Sequence, residues 1–196
     1  MALPRIVYAG INLDFPENVS ELKYPRVRRA GMNTADGGVS ETVRSGIWDE
    51  VEIIVERFGT SAFYEAFQAF WSHASNGDQF SFALDSARTV NTTLVNAESA
   101  GATVIELALT TGIIVNGLYI MESADLQKRE VVQVASISAG VSVTLAAGTK
   151  FAYSAADTFR DWKFWPKLVT TDDASPFIEG PGLSFVLDLH AREDRG

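Results

Sequence analysis

Cysteine is absent from the 196 residues. That excludes disulfides, thiolate nucleophiles and thiolate metal sites, and it leaves the redox compartment undetermined. Histidine occurs twice, as His73 and His190, in neither a Gly-x-Ser-x-Gly nor a His-Glu-x-x-His setting. The two phosphate-cradling glycine patterns, Gly-x-Gly-x-x-Gly and Gly-x-x-x-x-Gly-Lys-Ser/Thr, are also missing. Apolar runs are short. Residues 107–115 are broken by Thr and Gly and fall far below the ~20 residues of a membrane span. The first eight residues carry no basic stretch leading into an apolar run, so a chain made in the cytoplasm without a signal peptide is expected. Basic residues are scarce, 16 against 25 acidic, for a formal charge of -9. A protein that grips phosphate backbones needs a positive footprint, so sequence-independent nucleic-acid binding is disfavoured.

What is present is a globular composition, 46% hydrophobic and 21% charged. The length suits one domain carrying a smaller insertion. Over residues 48–58, Val51, Ile53 and Val55 alternate with Glu52, Ile54 and Glu56. Period two of this kind describes a strand with one buried and one wet face. The period then changes. Phe63, Phe67, Phe70 and Trp71 stand at i, i+4, i+7 and i+8, one stripe of a helix over about residues 61–75. Thr60 or Ser61 can cap its start and Asn76-Gly77 its end. Phe80, Phe82 and Leu84 alternate with Ser81, Ala83 and Asp85 as a further strand. A stripe of four large rings is read as core packing.

From about residue 92 to 158 aromatics thin out, and Ala, Thr, Ser, Val and Gly dominate. Short alternating runs at 103–107, 117–121, 130–136 and 140–145 are separated by turn residues such as Thr111-Gly112, Asn116-Gly117 and Ala147-Gly148. Evenly spaced short strands describe a small antiparallel barrel or sandwich. The expected fold is therefore α+β and β-rich: an antiparallel sheet or barrel with one main helix and an inserted small β-module. The divisions are residues 1–92 plus 160–196, and 93–159, with junctions at 91–95 and 155–160. After the insertion Trp162, Phe164 and Pro166 alternate with Lys163, Trp165 and Lys167. Leu183, Phe185, Leu187 and Leu189 alternate with Ser184, Val186, Asp188 and His190 as a final strand, and residues 191–196 read as a frayed charged tail.

Candidates for chemistry are few. Asp172-Asp173 share a loop, and Asp157 and Asp161 flank the end of the insertion. None has the spacing of a calcium loop, and solvated loop acids describe them best. No catalytic, cofactor-binding or metal-ligating residue is assigned, and no cofactor is expected. Arg26, Arg28 and Arg29 form the one dense basic cluster. It reads either as a charged strand edge that discourages aggregation or as a patch for the acidic surface of a neighbouring subunit. Trp162 and Trp165 read as core residues with one tryptophan left partly exposed at an interface. The candidate subunit-interface residues are thus Arg26, Arg28, Arg29, Trp162 and Trp165.

One order of elements stands out. Asp14-Phe15-Pro16 is followed by Asp36-Gly37-Gly38-Val39-Ser40-Glu41-Thr42, the 48–58 strand, the aromatic helix and Gly77-Asp78-Gln79-Phe80-Ser81-Phe82-Ala83-Leu84-Asp85. This order resembles bacteriophage tail structural proteins, especially distal tail proteins of the tail-tip hub or baseplate. Residues 162–168 and 183–189 fit the closing strands of such a domain. Glu130-Val131-Val132-Gln133-Val134-Ala135-Ser136, followed by Val143-Thr144-Leu145, is similar to the small β-modules of phage tail proteins. The resemblance covers residues 1–90 and 160–190 in element order. It implies a virion protein without enzymatic activity that forms a homo-oligomeric, often hexameric, ring around the DNA channel. Its neighbours would be tail-tube and tail-tip proteins; DNA would pass without specific binding, and no membrane would be engaged. Other tail roles, tube or tail completion, fit the same resemblance. Two rivals stand beside it. The insertion can be read as a host-surface carbohydrate-binding module using Phe151, Tyr153 and Tyr119, and a carbohydrate hydrolase would use Asp172 or Asp173.

Overall fold

The alternation at Val51, Ile53 and Val55 lies within an unusually long strand in the computed structural model, which describes residues 3–15, 21–23, 26–34, 40–58, 61–125, 127–179 and 184–194. In chain order the elements begin with β1 (Arg5–Tyr8), β2 (Ile11–Asp14), β3 (Glu21–Lys23), β4 (Arg26–Thr34) and β5 (Ser40–Phe58). The helix α1 (Ser61–Ala74) and β6 (Phe80–Ala83) follow. Next come β7 (Asn91–Thr93), β8 (Val104–Glu106), β9 (Leu118–Glu122), β10 (Arg129–Ser138), β11 (Ser142–Leu145) and β12 (Thr158–Asp161). The chain closes with β13 (Phe164–Thr170), β14 (Phe177–Glu179) and β15 (Ser184–Glu193). The protein is β-rich α+β, and every strand pair with a described register is antiparallel.

Two compact units are formed. The first comprises Met1–Arg26, Trp48–Arg88 and Lys163–Gly196; the second comprises Val27–Ile47 and Thr89–Trp162. The larger sheet runs β2-β1-β6-β13-β15-β5-β3, with β14 on β15 and β4 on β5. In the first unit α1 lays Phe63, Phe67, Phe70 and Ala74 into a core with Ile6, Tyr8, Phe15, Phe80, Phe82 and Trp165. Phe70 meets Tyr8 and Phe80 edge-on at centroid distances of 5.5 and 5.1 Å, the geometry that ring quadrupoles favour. Trp71, the fourth member of the stripe, is only partly buried, and Ala74 takes the last core position. The helix stops where Gly77 adopts φ +84° and donates its N–H to the Ala74 carbonyl at 3.0 Å. The candidate caps Thr60 and Ser61 have side chains outside the described residues.

The second unit holds a six-stranded sheet ordered β7-β12-β9-β10-β11-β8. A bridge between Leu94 and Leu107, with Val95 N–H donating to Glu106 O at 3.0 Å and Ala108 N–H to Thr93 O at 2.9 Å, joins the two ends of that path. The sheet therefore curls on itself around Leu94, Ile105, Tyr119, Met121, Val134, Val143, Leu145 and Phe159. A register shift between Val134 and Ser136 supplies the bend in β10. The residues read as insertion junctions are themselves strands, β7 and β12, paired from Thr93↔Thr158 to Asn91↔Arg160.

Two expectations fail here for packing reasons. Residues 191–193 are not frayed: β15 continues through Glu193, and Ala191 and Glu193 are buried. Asp157 and Asp161 are not solvated loop acids, being 4% and 1% exposed. Asp157 accepts the N–H groups of Ala124 and Ser154 at 2.9 and 2.7 Å, so it orders two turns.

Candidate functional site

The pairing of β5 with β15 sets Ile53 opposite Leu189 and Val51 opposite Ala191, all buried. Because side chains alternate along a strand, the intervening residues share the other face. There Glu52 lies opposite His190 and Glu50 opposite Arg192, with Asp188 two residues before His190. Ligating atoms of Glu52, Asp188 and His190 all lie within 4.8 Å of one another. A cavity of about 110 Å³ opens beside them, lined by Glu50, Val51, Glu52, Thr171, His190 and Ala191.

His190 is held from the chain that follows β13. Asp172 accepts the His190 backbone N–H through Oδ2 at 2.9 Å and faces His190 Nδ1 through Oδ1 at 3.0 Å. Thr171 N–H and the Thr170 hydroxyl both donate to the His190 carbonyl, at 3.0 and 3.1 Å. Asp172 is fixed in turn by its N–H on Thr170 Oγ1 at 3.1 Å. A carboxylate only accepts, so the 3.0 Å contact with Asp172 places a proton on Nδ1. Nε2 lies 3.7 Å from Asp188 Oδ1. That oxygen is shielded from solvent and has no hydrogen-bond partner among the described residues.

The second unit carries polar groups of a different kind. Glu122 and Arg129, opposed on β9 and β10, form a buried ion pair at 3.2 Å. Glu130 accepts the Lys150 N–H with both oxygens at 3.0 Å and the Tyr153 hydroxyl at 3.1 Å. Burial, and then the adjacent Glu130 charge, push the Tyr153 phenol well above its ordinary range. These contacts hold the curled sheet together and leave their groups occupied.

The other candidates fall in separate places. Arg26, Arg28 and Arg29 sit on β4, with side chains outside the described residues. Trp162 is half-buried. Trp165 is corrected: it is fully buried in the first unit, stacked on Phe82 at 5.8 Å, and its indole N–H donates to Asp49 Oδ2 at 3.0 Å, which removes it from any docking surface. Of the aromatics suggested for glycan stacking, Tyr119 and Tyr153 are buried and Phe151 is 39% exposed. Asp173 is exposed and makes no part of the histidine cluster, whereas Asp172 supports it. His73 is elsewhere, its Nε2 3.0 Å from the Gln79 carbonyl and its ring against Tyr8. Sequence reading missed Glu52 and Asp188 as partners of His190. The available signal was the outward phase of two strands, but only their register places the residues side by side. No known protein family matches the chain, and no curated protein matches it either.

Proposed function

We propose that this chain is a structural subunit of a phage tail that assembles with copies of itself as a ring at the distal end, around the DNA channel. The observation that carries the assembly part is apolar surface on the second unit. Val95, Val104, Leu109, Ile114, Val115 and Val141 are each about half exposed or more. Exposed aliphatic side chains of this kind are available for burial against another protein. The tail assignment itself rests on the order of elements described above. A net charge of -9 fits a channel that lets DNA pass without holding it. On this reading the chain performs no catalytic step, its partners are tail-tube and tail-tip proteins, and its place is the virion. No helix among the described residues is long and apolar enough to cross a membrane.

The test is native mass spectrometry of the full chain together with negative-stain electron microscopy. Six copies in a ring with a central hole is the expected result. A monomer that stays monomeric at high concentration and in the presence of tail-tube protein would overturn the proposal. Leu109→Asp combined with Val141→Asp is expected to disperse the ring while far-UV circular dichroism stays unchanged.

A further inference from the structure

We infer that Glu52, Asp188 and His190 bind a divalent transition-metal cation, with Asp172 as the positioning residue for His190. This inference is independent of the tail reading. Four observations carry it. The three ligating atoms already lie within 4.8 Å of one another. Donors at about 2.0–2.2 Å from one metal stand roughly 3–3.5 Å apart, so small side-chain rotations complete the set. Nε2 of His190 and Oδ1 of Asp188, 3.7 Å apart, are close to that spacing now.

The second observation is Asp188 Oδ1 itself, an atom shielded from water and without a hydrogen bond among the described residues, in a side chain that is otherwise 45% exposed and faces the His190 ring. A carboxylate oxygen in that condition is stabilised by a cation. The third is the Asp172–His190 contact at 3.0 Å. A carboxylate on the far ring nitrogen fixes the tautomer, raises the basicity of Nε2 and is the usual outer partner of a metal-bound histidine. The fourth is the local charge. Glu50, Glu52, Asp172 and Asp188 supply four carboxylates, and among the described registers Arg192 lies opposite Glu50 and Lys23 opposite Glu52.

The donor set selects the metal. One imidazole and two carboxylates suit Zn²⁺ or Mn²⁺ better than Mg²⁺ or Ca²⁺, which prefer oxygen alone. Three protein donors beside an open cavity leave at least one position for water or for a donor from another molecule. Within the fold the ion would tie β5 to β15 at the Glu52↔His190 pair.

The experiment uses the full chain, freed of metal by chelation and titrated with ZnCl₂ by isothermal calorimetry, with MgCl₂ as the control. One Zn²⁺ per chain is expected, and His190→Ala should weaken binding at least tenfold. Asp172→Asn should weaken it about tenfold, the scale of losing an outer-shell partner. His73→Ala should leave it unchanged. Unaltered protein supplies a second readout that no folding defect can confuse. Mn²⁺ should broaden the NMR ring signals of His190 and spare those of His73. No heat with millimolar Zn²⁺, binding that survives His190→Ala, or broadening confined to His73 would each overturn the inference.

Discussion

Truncating Phe70 to alanine tests the central packing claim of the first unit, that α1 is fixed to the sheet by its aromatic stripe. Phe70 is fully buried, with Tyr8, Phe67 and Phe80 at centroid distances of 5.5, 5.5 and 5.1 Å. These rings come from β1, from the helix itself and from β6, so they cannot all collapse into the space left behind. Burying a ring of this size removes ~150–250 Å² from water, and a Phe→Ala change in such a site costs about 3–5 kcal/mol. With a urea dependence near ~2 kcal/mol per molar, the unfolding midpoint should fall by roughly 2 M. Urea titration followed by tryptophan fluorescence reads this, because Trp71 and Trp165 report on the same core. Glu65 lies on the exposed side of the helix, and Glu65→Ala should change stability by no more than about 0.5 kcal/mol. If the two variants lose equal stability, the helix does not dock through its rings and the account of the first core is wrong.

Two further outcomes concern the second unit. A Cβ added at Gly148 would meet the Gly101 carbonyl oxygen at 2.6 Å, and the segments are tied by Gly101 N–H to Thr149 O at 2.7 Å and Thr149 N–H to Ala102 O at 3.0 Å. Gly148→Ala should therefore lower stability by about 1–3 kcal/mol in urea titration; an unchanged midpoint would show that the two backbones are not in close approach. Tyr153 gives a pH dependence with a definite sign. Its folded phenol is raised above the ordinary value of 10.0 by burial and by Glu130, so the folded state keeps a proton that the unfolded state loses. Stability should be full below pH 10 and fall as pH rises beyond it. Tyr153→Phe should flatten that alkaline decline, and a decline of equal slope in the variant would remove the explanation.

Much of the fold was legible because its signals are local. The alternation at 48–58, the stripe Phe63–Phe67–Phe70 and the turn-separated runs after residue 100 each report burial within one element. Boundaries were less legible. β12 coincides with the expected junction at 155–160, and its Thr158-Phe159-Arg160-Asp161 run has two polar residues buried in the fold, so its polarity looks like that of a loop. Of the two tryptophans read as core with one left partly exposed, Trp165 is the buried one and Trp162 the half-buried one, a choice made by the pairing of β13 with β6.

Composition and periodicity by themselves determined that this is a β-rich protein with one aromatic-faced helix and a separate run of short strands, because hydrophobic phase along a strand or helix is a property of neighbouring residues. Only tertiary structure decided that β15 lies between β13 and β5, and that His190 faces Glu52 while Asp172 holds its ring. Register is set by which faces of distant strands must be buried together, and a slip of one residue would turn His190 into the core and Leu189 out of it. No local pattern encodes that choice, since it is made by the whole sheet at once.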